Sequence, residues 1–154
     1  MDNYDVLRKI LDTTVSGAPG SKYIDEILKI LFTPEEAEVA AHMKFKGELP
    51  DEIARRAGMD AAATAAILAG MMRKGLVNYR KKEGLVLYNL LPTVPGIFET
   101  SMMNHADPDR RERLARLWDE YNRDAMIRSL GGSPTPQMRV VAVKESIRAG
   151  TVVS

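Results

Sequence analysis

The sequence predicts a mostly α-helical protein with one small β-hairpin, built as a winged helix-turn-helix with flanking N- and C-terminal helices. Three observations predict it. Apolar residues recur at helical spacing from Val6 to Leu31. Two helical stretches, 49–57 and Ala61–Lys74, are separated by Gly58 and stopped by Gly75, the punctuation of a helix-turn-helix. Two runs rich in β-formers follow at once, at 76–80 and Leu85–Leu90, as a hairpin requires.

From the N-terminus, Val6, Leu7, Ile10 and Leu11 share one face of a helix over 2–13. Ser16-Gly17-Ala18-Pro19-Gly20 breaks it, and Ser21 caps a second helix whose stripe is Ile24, Ile27, Leu28 and Leu31. The third start has the fullest signature. In Phe32-Thr33-Pro34-Glu35-Glu36-Ala37, Thr33 is the cap, Pro34 the first helical residue and Glu36 the reciprocal acid of a capping box. Phe32 and Ala37 stand where a hydrophobic staple closes. This helix is expected to run to about Phe45, with Gly47 ending it. The next presents Ile53, Ala54 and Ala57 inward, although Leu49 occupies its cap position in place of Thr or Ser.

Asp60 caps the helix over Ala61–Lys74, and Lys81-Lys82-Glu83-Gly84 joins the two strands. Pro92 and Pro95 end the sheet, Gly96-Ile97-Phe98-Glu99 begins a short helical stretch, and Asp107-Pro108 opens a long helix to about Arg128. Its stripe is Leu114, Leu117, Trp118, Tyr121 and Ala125. Glu112 with Arg116 and Asp119 with Arg123 brace its solvent face at four-residue spacing. We divide the chain into a winged-helix domain over 1–128 (helix-turn-helix 50–75, wing 76–91, C-terminal helix 107–128) and a linker with a short strand, Arg139-Val140-Val141-Ala142-Val143, over 129–154. The ending Thr151-Val152-Val153-Ser154, without cap or charged tail, predicts a cut ahead of a further C-terminal domain.

Composition bounds the function. A chain of 154 residues, 45% apolar and 28% charged, is long enough for one core without disulfides or metals. The net charge of +1 gives no global field toward nucleic acid, so electrostatic arguments must be local. There are no cysteines, which removes disulfides, thiolate metal sites and cysteine nucleophiles together. The acidic start, Met1-Asp2-Asn3-Tyr4-Asp5, is not a signal peptide, and no apolar run is long enough for a membrane span. A cytoplasmic protein without a membrane partner is expected.

A helix-turn-helix commonly lays its second helix in the major groove, where bases are read by polar side chains. Here that helix starts Asp60-Ala61-Ala62-Ala63-Thr64-Ala65-Ala66, and only Thr64 offers a hydroxyl. Sequence-specific reading is therefore not expected. A local basic cluster, Arg73, Lys74, Arg80, Lys81 and Lys82, contains no acid and is the candidate phosphate contact. Ala61, Ala62, Ala65, Ala66, Ala69 and Gly70 form a smooth face that lets another backbone approach, though alanine is also simply the best helix former. These are the candidate protein-contact residues.

No catalytic, cofactor or metal constellation is visible. His42 and His105 lack a second ligand at metal spacing, and Glu38 with His42 reads as an exposed pair on one helical face. Gly131-Gly132 is not followed by a phosphate-loop lysine, and Ser101, Ser129 and Ser133 have no activating base in sequence. The expectation is no enzyme and no cofactor on this chain.

The segments Leu31-Phe32-Thr33-Pro34-Glu35-Glu36-Ala37, Ile53-Ala54-Arg55-Arg56-Ala57-Gly58, Lys74-Gly75-Leu76-Val77 and Pro95-Gly96-Ile97-Phe98-Glu99 occur in a familiar order. Together with Leu117-Trp118-Asp119-Glu120-Tyr121 and Arg139-Val140-Val141, they resemble the N-terminal winged-helix region ahead of ferredoxin-type domains in a family of bacterial and archaeal 4Fe-4S iron–sulfur proteins. The resemblance covers about residues 4–145. It implies an accessory domain whose parent holds its clusters through downstream cysteines, which this sequence does not contain. It implies a regulatory or protein-interaction role, with the partner another protein or the chain's own downstream iron–sulfur domain. Homodimerisation through the N-terminal helix and the 107–128 helix is a further expectation. The alternative is a DNA-binding transcriptional regulator of the general MarR or ArsR kind.

Overall fold

Helix starts are capped where the sequence places caps. The computed structural model describes residues 2–103 and 107–132. Helix α1 (Asn3–Asp12) begins with the Asp2 carboxylate accepting the Asp5 N–H, and α2 (Lys22–Leu31) with the Ser21 hydroxyl accepting the Tyr23 N–H. At α3 (Pro34–Ala40) the capping box is complete: Thr33 Oγ1 accepts the Glu36 N–H at 3.3 Å, and the Glu36 carboxylate accepts the Thr33 N–H at 2.9 Å. Phe32 and Ala37 are both buried, as a hydrophobic staple requires. At α4 (Pro50–Ala57) only half of a box forms, because Leu49 has no side-chain acceptor; its N–H donates to Glu52 at 3.0 Å. Gly58, at φ 67°, turns the chain into α5 (Ala61–Lys74), and Gly75, at φ 74°, stops it. Both positions need the left-handed backbone that glycine adopts without strain.

Helix α3 does not reach Phe45. It ends at Ala40, and its last carbonyls close short turns, with the His42 N–H on Val39 O at 3.0 Å and the Met43 N–H on Ala40 O at 3.1 Å. The freed segment runs beside the hairpin instead. The Leu90 N–H donates to Lys44 O at 2.9 Å, and Glu48 and Tyr88 exchange both backbone hydrogen bonds at 2.9 Å. Pairing with a strand edge outcompetes about one and a half further helical turns, a choice that helical periodicity does not encode.

The hairpin is β1 (Val77–Lys82) antiparallel to β2 (Leu85–Leu90), with Val77 opposite Leu90 and Lys82 opposite Leu85. Lys81 and Lys82 belong to the strand and not to the connection. Glu83 and Gly84, at φ 52° and 80°, reverse the chain alone, as a tight two-residue turn does. A turn over Thr93–Ile97, with a cis Val94–Pro95 peptide, leads to α6 (Phe98–Met103). The long C-terminal helix is α7 (Pro108–Tyr121), a wide turn at Asn122–Met126, and α8 (Ile127–Gly131). The expected strand at 139–143 lies outside the described residues.

The described residues are therefore mostly helical, with one two-stranded antiparallel hairpin among them. The core gathers Leu7 and Leu11 of α1, the α2 stripe Ile24, Ile27, Leu28 and Leu31, Ile53 of α4, Leu68 and Met71 of α5, and Leu114, Trp118 and Tyr121 of α7. Helix α7 packs on α2, α1 on α2 and α3, and α5 on α3 and α4. Tyr121 donates its hydroxyl to Pro19 O at 3.1 Å, and burial pushes its phenol above the usual tyrosine value. Arg110 reaches from α7 to the Ile30 carbonyl of α2. Of the two predicted stripes, Leu7 and Leu11 of α1 and Leu114, Trp118 and Tyr121 of α7 are buried, while Val6, Ile10, Leu117 and Ala125 are half-buried. No helix of the described residues is long and apolar enough to cross a membrane.

Candidate interaction surface

On α5, the observed order of helix, tight turn, helix and hairpin leaves the leading residues outward. Ala61, Ala62, Ala63 and Ala66 are exposed, while Ala65, Ala69 and Gly70 are half-buried. Thr64, the one hydroxyl expected on this face, is fully buried: its Oγ1 donates back to Asp60 O at 2.8 Å. Helical spacing accounts for this, because Thr64, Leu68 and Met71 form one stripe against the core. The Asp60 carboxylate is spent on the cap, accepting the Ala63 N–H at 2.9 Å. The outward face of the first turns is therefore a sheet of methyl groups.

A Cβ added at Gly70 would stand 3.9 Å from Glu36 Oε1 and 4.0 Å from an Arg73 nitrogen, ordinary contact distances. Nothing inside the chain requires the missing methyl. Gly70→Ala should accordingly stabilise the isolated protein by about 1 kcal/mol, the helix-interior penalty of glycine. A urea midpoint that stays level or falls would show that the glycine serves the fold.

The five predicted cations do not act as one set. Lys74 Nζ is paired with Glu36 Oε2 at 2.6 Å, and its partner is only 10% exposed, so it ties the end of α5 to the α3 cap. Arg73, Arg80 and Lys81 are exposed and have no ion pair among the described residues, while Lys82 lies 3.9 Å from Glu83. The Arg80 guanidinium folds over Gly47, with Nε 3.2 Å from where a Cβ on that glycine would stand. Folding thereby brings Lys44 and Lys46, both exposed, to the same region as Arg80. Their distance in sequence from the hairpin hides this.

Sequence reasoning also missed a buried ionic lock behind the surface. The Glu48 carboxylate, 8% exposed, receives Arg56 Nη1 and Nη2 at 2.8 Å each and the Lys44 N–H at 3.1 Å, with Lys44 Nζ at 3.3 Å. Arg56 Nε and Nη2 also donate to His42 O at 2.9 and 2.6 Å. Burial works against ionisation of Glu48, but the Arg56 and Lys44 hydrogen bonds outweigh it and hold its pKa below the ordinary 4.5. The lock fastens α4 to the segment that pairs with β2, and so fixes α4 against the hairpin. Its only trace in sequence is an acid and an arginine eight residues apart.

His42 is not an exposed partner of the Glu38 carboxylate; its Nδ1 lies 2.9 Å from the Glu38 main-chain oxygen. His105 and Ser133 lie outside the described residues, and Ser101 is buried with its hydroxyl donated to Phe98 O at 3.0 Å. Among the described residues no three His, Asp or Glu side chains are grouped to hold a metal ion. Comparison with protein-family models, with curated proteins and with solved structures returns no match.

Proposed function

We propose that this chain is a non-catalytic winged-helix module that works by contact with protein, as an N-terminal accessory part of a larger iron–sulfur protein. One observation carries the protein-contact reading. The helix that would enter a major groove turns its single hydroxyl, Thr64, into the core and, over its first turns, offers only alanine methyls outward. Methyls can touch a thymine methyl but cannot distinguish four base pairs, which takes donors and acceptors. Small side chains instead allow close approach of another protein backbone. The order α4, turn, α5 and hairpin supports the winged-helix assignment. The iron–sulfur parent is supported by the residue pattern quoted above, and its clusters would need cysteines beyond these 154 residues.

Exposed Arg80 and Lys81 on the hairpin favour a second reading, a DNA-binding regulator. Selection from a random duplex pool, followed by salt-titrated binding, separates the two. The protein-contact reading expects no duplex bound more than about tenfold over random sequence, against the 10³–10⁷ typical of specific binders. Lys81→Ala combined with Lys82→Ala should weaken every duplex alike and flatten the salt dependence, because phosphate contacts carry no sequence information. A single operator bound many-fold more tightly would overturn the reading.

A further inference from the structure

At the base of the hairpin an open groove of about 620 Å³ lies between the 13–16 loop, Phe45, the hairpin residues Asn78 and Asn89, and the 91–95 turn. Among the described residues no charged side chain lines it. Its surface is mainly apolar, with Val15 80% and Phe45 36% exposed. The polar groups that line it are largely spent within the chain. Thr13 and Thr14 donate to Ile10 O and Leu11 O at 2.7 Å each, Ser16 accepts the Val94 N–H at 3.3 Å, and Asn89 donates to Leu90 O at 2.9 Å. Apart from the Asn78 carboxamide, what remains for an occupant to touch is hydrocarbon.

The C-terminal helix ends beside one wall of this groove. Asp124 Oδ2 accepts the Ser21 hydroxyl at 2.7 Å, and Ser129 Oγ stands 3.7 Å from where a Cβ on Gly17 would be. Helix α8 therefore lies against the loop whose residues 13–16 line the groove, and the described chain stops at Gly132, about one helical turn past Ser129. The sequence that follows carries an uncharged run, Val140-Val141-Ala142-Val143, between Arg139 and Lys144. Residues 133–139 can span at most roughly 25 Å, enough to bring that run from Gly132 to the adjoining groove.

We propose that this groove is the seat of the chain's own segment 139–143, with the valine run over Val15 and Phe45 and the flanking Arg139 and Lys144 left in water. An uncharged lining suits an uncharged run, because neither has to give up the hydration of a charge. Covering the exposed valine and phenylalanine is favourable in proportion to the apolar area removed from water. A short tether also presents the run at an effective concentration on the order of millimolar, so it fills the groove ahead of a free partner of equal intrinsic affinity. Seated there, the linker sets where the chain beyond it leaves the helical domain. The inference goes beyond the protein-contact reading and rests on none of the α5 residues.

Disulfide trapping in the full-length chain tests it, since a sequence without cysteine contributes no competing thiol. Val15→Cys is combined in turn with Val140→Cys, Val141→Cys, Ala142→Cys and Val143→Cys; Val15 is exposed, so the change leaves the core untouched. At least one pair should close within a single chain about tenfold faster than the matching pair built on Ala62→Cys of α5, because a disulfide needs its Cα atoms within about 7 Å. Separately, Val15→Asp in the otherwise unaltered chain should speed trypsin cleavage after Arg139 and Lys144 by about tenfold, because cleavage tracks the population of the open form. Cleavage after Arg116 in α7 should keep its wild-type rate. Closure no faster than the Ala62 control, or cleavage after Arg139 and Lys144 unmoved by Val15→Asp, overturns the proposal. Disulfides that form only between chains overturn it in favour of a second copy. The duplex selection that tests the α5 reading is independent of all these outcomes.

Discussion

Trp118→Ala should destabilise the protein by about 3–5 kcal/mol, the usual cost of emptying a buried aromatic site. Trp118 is 2% exposed, packs edge-on against Phe98 with ring centroids 5.1 Å apart, and tilts against Tyr121 at 5.9 Å. It joins α6 to the α7 face that covers α2, so no single neighbour can move in to fill the space. Against a total stability of roughly 5–15 kcal/mol, the loss is a large fraction. Urea unfolding followed by far-ultraviolet circular dichroism measures it. Trp118→Phe keeps an aromatic ring in place and should cost much less. A drop below about 1 kcal/mol for the alanine variant, the size of an ordinary surface change or less, would mean that α7 is not integral to the core.

Arg56→Ala should cost about 2–3 kcal/mol, toward the low end for breaking a buried ion pair, because Arg56 is partly exposed and Lys44 remains. The change strips the Glu48 carboxylate of both guanidinium donors and the His42 carbonyl of its two. Arg56→Lys should not restore it, since an ammonium cannot reproduce the bidentate fork. The pH dependence has a defined sign. Glu48 has a folded pKa below 4.5, so its stabilisation is fully present above that value and is lost as pH falls through the folded pKa. The gap between wild type and Arg56→Ala should therefore narrow in acid. A gap that stays constant from neutral pH to well below 4.5 would assign the loss to packing of the arginine stem rather than to charge.

Element types and order were legible because they rest on local chemistry. The Thr33-Pro34-Glu35-Glu36 start, the glycines at 58 and 75, and the β-forming run Leu85–Leu90 each satisfy or free backbone groups within a few residues. The candidate surface was legible only in part. Alanines beside Asp60 announced a face without base-reading groups, but the side taken by Thr64 follows from which stripe the core selects. Lys74 belongs by sequence to the basic cluster, but Glu36, 38 residues away, holds it in an ion pair.

Local sequence thus accounts for the helices, the turn between α4 and α5, the hairpin and the lack of any thiolate chemistry. Tertiary structure alone ended α3 at Ala40, paired 44–48 with β2, buried Glu48 under Arg56, laid Arg80 over Gly47 and left an apolar groove at the base of the hairpin. The physical reason is range. Caps and turns satisfy hydrogen bonds inside a few residues, whereas a strand edge, a buried ion pair and a groove exist only once distant segments have excluded water between them.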